Sequence, residues 1–185
     1  MKDASKAQDR MQAAGSAPVS MKLGSAMAMG KWKAEVRDPD GNLLQTLDWQ
    51  NLIVDTGLDQ LLGTGLAGAG PWYIGLTDGT PTVAAADTMA LHAGWVEVAG
   101  YDETARQAWT PGTVASQTVN NNAVPAVFTI TSNSTTIGGA FLSDSSTKSG
   151  TTGLLFAVGA FVQTDVVLSA GATITVTAEF TQVAV

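Results

Sequence analysis

The chain has 185 residues, of which 45% are hydrophobic, 14% charged and 6% aromatic, with a net charge of −7, one histidine and no cysteine. That length can bury the core of one domain, and the missing cysteine excludes disulfide stapling and thiolate metal sites. No apolar run reaches the roughly 18 residues of a membrane-spanning helix, and charge well below the usual ~25% leaves a surface with little like-charge repulsion against self-association.

The first element is a leader of unusual charge. Residues 1–37 hold seven of the nine basic side chains (Lys2, Lys6, Arg10, Lys22, Lys31, Lys33, Arg37) and three acids, for +4. The remaining 148 residues hold Arg106 and Lys148 against thirteen acids, for −11. Residues 1–30 are rich in Ala, Ser, Gly, Met and Lys, with Pro18 in the middle. Good helix formers fill Asp3–Ala14, but apolar spacing there is weak and so short an isolated helix is marginal in water. The expectation is an extended arm over 1–30, ordered only against a partner, and a body over 31–185. The arm lacks the continuous apolar stretch of a secretory signal, because Gln8, Asp9, Arg10 and Gln12 interrupt it.

Lys31–Arg37 alternates as a half-buried strand, with Trp32, Ala34 and Val36 on one face. Asp38-Pro39-Asp40-Gly41-Asn42 is a turn in which Pro39 presets φ and Gly41 supplies a positive φ; Leu43–Trp49 then returns as the second strand of a hairpin. Asp55–Leu62 reads as a short helix with Leu58, Leu61 and Leu62 on one face, capped by Asp55 or Thr56 and ended by Gly63. After a glycine-rich connection, Trp72–Leu76 reads as a buried strand closed by the turn Asp78-Gly79-Thr80-Pro81. Residues 82–103 carry few strand signals besides Trp95–Val98, and a helical turn is expected near Asp87–His92. Arg106–Thr110 is a short strand. Ala126–Thr131, Thr135–Ser143, Leu154–Gly159 and Ala172–Thr181 follow, separated by polar turns. The last alternates Ile174, Val176, Ala178 and Phe180 with polar residues, giving one buried and one wet face. The fold class expected is mainly β: a β-sandwich or jelly-roll-like body with an extended N-terminal arm and one short helix.

Residue types that carry chemistry are sparse. His92 has no second His or Cys at ligand spacing, and no Gly-x-Ser-x-Gly turn presents a nucleophile to it. Asp102 with Glu103, and Asp38 with Asp40, are carboxylate pairs of the kind glycosidases use, but both sit in turn-forming segments where Asp has a local hydrogen-bonding role. Gly63-Thr64-Gly65-Leu66-Ala67-Gly68 matches the dinucleotide spacing without the strand before it or the acidic ribose ligand after it. Asp38, Asp40 and Asn42 lack the twelve-residue calcium spacing. The basic charges of the leader are dispersed and carry no aromatic interleaving before Trp32, which disfavours nucleic acid. No catalytic, cofactor-binding or metal-binding residues are expected, and no cofactor.

Three segments together resemble a group of structural proteins encoded by tailed bacteriophages. They are Val36–Asn42 followed by Trp49–Leu58; Trp72–Leu76 with Tyr101-Asp102-Glu103 and Arg106; and Ile137–Asp144 with Lys148–Phe156. The likeness spans about residues 31–181. It implies a non-enzymatic virion protein, made in the host cytoplasm and carried on the capsid surface, with capsid decoration (cement) as the preferred role. The expected partners are the major capsid protein and the chain itself, as a homotrimer, with no nucleic acid and no membrane. An arm of thirty extended residues reaches about 100 Å. Lys2, Lys6, Arg10 and Lys22 are the expected contacts to acidic shell residues, and Met11, Met21, Leu23, Met27 and Met29 the expected apolar anchors, since thioethers fit irregular grooves. Two alternatives stay open: a tail or fibre-attachment protein, and a carbohydrate-binding module that stacks sugars on Trp72, Trp95, Trp109 or Tyr101.

Overall fold

The computed structural model describes residues 26–54, 56–57, 65–66, 70–116, 118–162 and 165–184. Among them are eleven strands: β1 (Ala26–Arg37), β2 (Leu43–Ile53), β3 (Trp72–Thr77), β4 (Gln107–Trp109), β5 (Thr118–Asn120), β6 (Ala126–Thr129), β7 (Thr135–Ile137), β8 (Gly139–Ser143), β9 (Leu155–Ala160), β10 (Val166–Leu168) and β11 (Thr173–Ala184). Every pairing is antiparallel.

The hairpin β1–β2 forms as its alternation requires. Trp32 faces Trp49 and Ala34 faces Leu47 across the ladder, and all four are buried. In its turn, the Asp38 carboxylate accepts the Asn42 backbone N–H at 2.8 Å and the Asn42 Nδ2 at 2.9 Å. Gly41 sits at φ +86°, where a side chain would be strained. β1 begins at Ala26 rather than Lys31 because β11 continues to Ala184 and supplies Ala26–Gly30 with partners. Met27 and Met29, expected in the arm, are therefore paired with Val183 and Thr181.

Nine strands form one bent sheet in the order β4-β3-β8-β9-β2-β1-β11-β5, with β6 also on β11. The bend lies where β2 meets β9, a junction of two residue pairs, Leu52 with Val158 and Ile53 with Ala157. Around it, the layer β2-β1-β11-β5/β6 folds over the layer β4-β3-β8-β9 in a β-sandwich-like body. Aromatic side chains fill the space between. Phe180 of β11 meets Trp109 of β4 edge-on at 5.7 Å and Phe156 of β9 at 5.4 Å, and Trp72 meets Phe156 at 5.2 Å. Such pairs add roughly 0.5–1.5 kcal/mol each beyond their buried area. At the far end, Gly100–Asp102 pairs with the end of β6, Asp102 N–H donating to Thr129 C=O at 2.8 Å, which nearly closes the curl.

Strands β8 and β9 are buried along almost their whole length, since they are covered on both faces. On the side away from the main core, Phe141, Leu155 and Val158 pack with Val54, Met89 and Trp95. The 78–98 connection supplies that cover; it contains reverse turns at Ala84–Asp87 and Thr88–Leu91 instead of the expected helical turn. Its Trp95–Val98 segment joins β3 through a single bridge, Glu97 to Thr77. The expected strand Thr135–Ser143 is split at Gly138 into β7 and β8. Gly138 N–H donates to Thr77 C=O, and a Cβ there would strike the backbone of Asp78 and Thr80. Of the expected helix Asp55–Leu62, only Thr56 and Gly57 lie among the described residues, with Gly57 N–H bonded to Val54 C=O.

Candidate interaction surface

Beyond Arg37 the body has two cations, Arg106, which is buried, and Lys148, which is half-buried. Arg106 precedes β4 with a side chain that is 0% exposed, facing Glu97 at 7%. Its Nε and Nη2 donate to the two Glu97 carboxylate oxygens at 2.9 and 2.7 Å, a bidentate pairing. Nη1 donates to Ser145 C=O and Nη2 also to Gly150 C=O, each at 2.9 Å, and the guanidinium lies 5.0 Å from the Phe141 ring centre. Glu97 further accepts the Ser149 N–H at 2.9 Å. The pair thus ties the loop 145–150 to the 95–106 segment. Lys148, on that loop, donates to Tyr101 C=O at 2.8 Å and lies 3.9 Å from the Tyr101 ring centre. Burial, with the Glu97 carboxylate adding to it, pushes the Tyr101 phenol well above its usual range; its hydroxyl has no hydrogen-bond partner.

Arg106 is thus engaged inside and Lys148 is held by main-chain carbonyls, and the exposed lysines of the described body lie on β1. Lys31 and Lys33 are exposed and Arg37 half-buried on the outer face of the hairpin. Glu35 lies between them, bonded to Lys33 at 3.0 Å and to Arg37 at 3.1 Å. These two partners, Lys33 foremost, hold its carboxyl below the ordinary value of 4.5. Alongside, a shallow groove of about 300 Å³ is lined by Lys33, Glu35, Asn122, Pro125, Thr175 and Thr177. A neighbouring one of about 150 Å³ brings in Lys31, Asp48 and Glu179. The arrangement offers hydroxyls, an amide and charges of both signs, with no exposed aromatic face. It suits a polar contact with another macromolecular surface.

The expected anchors Lys2, Lys6, Arg10, Met11, Met21, Lys22 and Leu23 lie outside the described residues. Of the groups weighed for catalysis, His92, Glu103 and Asp38 make local hydrogen bonds. His92 Nδ1 is 2.9 Å from Trp95 C=O, so that nitrogen carries the proton, and its ring stacks on Trp95 at 3.8 Å. Glu103 accepts the Thr129 N–H with both oxygens, at 3.0 and 3.1 Å, and Asp38 holds the hairpin turn. Among the described residues no three His, Cys, Asp or Glu side chains gather as metal ligands. The Gly63–Gly68 stretch falls mostly outside the described residues. The sugar-stacking platform is absent from the surface: Trp72, Trp95 and Tyr101 are each 3% exposed and Trp109 2%. Glu97, which pairs with Arg106, was not legible in the sequence. The one available signal was the isolation of Arg106 in an acidic body.

Comparison with known proteins finds nothing similar: no family model, no curated protein and no solved structure matches the chain.

Proposed function

We propose that the chain is a non-enzymatic structural protein of a tailed-phage virion, a capsid decoration protein that binds the major capsid protein shell and stabilises it. The observation that supports this reading most is the division of charge in the folded chain. Arg106 is buried and Lys148 is half-buried against main-chain carbonyls, so the exposed lysines of the described body are those of β1, and the sequence before it adds further basic residues. A body of this kind repels an acidic shell surface, and the basic leader attracts it. Attachment then runs through the leader and the outer face of β1, with the sandwich as a rigid outward wedge. The main-chain pairing of Ala26–Gly30 with β11 gives the leader a fixed point of departure, which lowers the entropy lost when it is ordered against a shell.

Reconstruction of the virion tests the proposal by copy number. Density for the sandwich repeated over the head lattice is the expected result. A handful of copies at the tail, or none in the particle, overturns it.

A further inference from the structure

The connection from β8 to β9 passes over buried groups without an apolar anchor of its own. Ser145-Ser146-Thr147-Lys148-Ser149-Gly150 contains no hydrophobic residue, although the strands on either side are buried almost throughout. Polar bonds hold it. Arg106 donates to Ser145 C=O from Nη1 and to Gly150 C=O from Nη2, and its main-chain N–H donates to Ser146 C=O at 3.0 Å. Glu97 accepts the Ser149 N–H. Lys148 reaches across to the 99–101 segment, donating to Tyr101 C=O at 2.8 Å and to Ala99 C=O at 3.4 Å above the Tyr101 ring.

The stretch is also strained. Ser149 sits at φ +57°, in the left-handed region that costs a residue with a side chain. Its N–H is the one that Glu97 holds, so the contacts around it impose this conformation. Beneath lie Tyr101, 3% exposed, and the fully buried Arg106 side chain. The segment that Lys148 grips is the one that crosses to the other layer: Tyr101 bridges to Ile130, and Thr131 N–H donates to Gly100 C=O at 3.0 Å. The stretch is therefore laid over the place where the curl nearly closes.

We infer that Ser145–Gly150 is a strap that opens as a unit while the sandwich stays folded, with Lys148 as its clasp. Each polar group released on opening bonds to water instead, which keeps the net cost of each bond small. The strain at Ser149 is relieved, the Arg106 charge is hydrated, and the strands of the core keep their pairing. Local openings are drawn from segments with few buried apolar contacts, and this strap has none from hydrophobic residues of its own. Opening uncovers the Tyr101 ring and the Arg106–Glu97 pair, an aromatic and charged surface that the closed molecule hides. The inference does not depend on what the protein attaches to.

Native-state hydrogen exchange of the intact chain in low urea is the test. The N–H groups of Ser149, on the strap, and of Arg106, bonded to it, should exchange through one shared opening. That opening should be roughly tenfold or more as frequent as the one that frees the β8–β9 ladder, and nearly independent of urea, because it exposes little surface. Lys148→Met keeps the stem and removes the ammonium, and should speed exchange at both positions together by roughly tenfold or more. Three results overturn the inference: exchange at Ser149 and Arg106 that follows the urea dependence of the β8–β9 ladder, exchange there with no protection at all, or unequal responses of the two to Lys148→Met. Should Lys148→Met fail to fold, the urea dependence of the parent alone decides.

Discussion

Removing one partner of the Arg106–Glu97 pair should destabilise the fold more than the loss of any surface charge. In Glu97→Ala the guanidinium, 0% exposed, keeps the carbonyls of Ser145 and Gly150 but loses both carboxylate oxygens. It stays charged, since arginine does not deprotonate in proteins, and the Ser149 N–H loses its acceptor as well. Breaking a buried pair in this way costs about 3–5 kcal/mol. For a chain of this size each kcal/mol shifts Tm by about 2–4 °C, so the variant should melt roughly 6–20 °C lower. Urea denaturation followed by tryptophan fluorescence gives the free energy, and an unchanged m value confirms that the same surface unfolds. The double variant Glu97→Leu, Arg106→Met removes both charges and should recover much of the loss. A single-variant cost under about 1 kcal/mol, or a double variant no better than the single, would refute the assignment of this pair as the anchor of the 145–150 loop.

Three further outcomes follow from the packing and the charges. Phe156→Ala leaves a void between Trp72 and Phe180 and should cost about 3–5 kcal/mol by urea denaturation; a cost under about 1 kcal/mol would mean that the two layers are not held together there. Tyr101→Phe removes a buried hydroxyl without a partner and should be neutral or stabilising. In the parent the folded state favours the neutral phenol, so stability should fall as pH climbs above about 10, and that alkaline loss should shrink in Tyr101→Phe. The lowered pKa of Glu35 works in the opposite direction: its contribution is present above 4.5 and lost as pH falls through the folded value below it. Glu35→Gln should therefore cost under about 1 kcal/mol at pH 7, because the carboxylate is on the surface. The difference from the parent should vanish at acid pH, and a difference that persists there would contradict the ion-pair origin.

Local signals carried the hairpin into the structure almost unchanged. The alternation of Lys31–Arg37 and the Asp38–Asn42 turn each have a short-range cause, so residues within a few positions of one another decide them. Pairing partners are a different matter. Nothing near Ala26 shows that β1 starts there, because the reason is Gln182–Ala184 at the other end of the chain. The split of Thr135–Ser143 at Gly138 depends on the approach of Asp78 and Thr80, and β5 and β10, of three residues each, are too short to give a period. Trp95 and Trp109 suggested a sugar platform because exposure cannot be read from residue type. Their burial follows from the bend at Leu52–Ile53 and from the 78–98 cover, both set by long-range contacts. The charge division was plain in the sequence, whereas the burial of Arg106 against Glu97 was not.

The account rests on attachment through the basic leader, and deletion of residues 1–25 tests it most directly, stopping short of Ala26 so that β1 keeps its pairing with β11. Binding of the intact and truncated chains to undecorated phage shells, measured over a range of salt, is the decisive comparison. The intact chain should bind and weaken steadily as salt screens its lysines and arginines, while the folded truncated chain, left with the β1 face alone, should bind far more weakly. Equal affinity of the two chains for the shells would contradict the account.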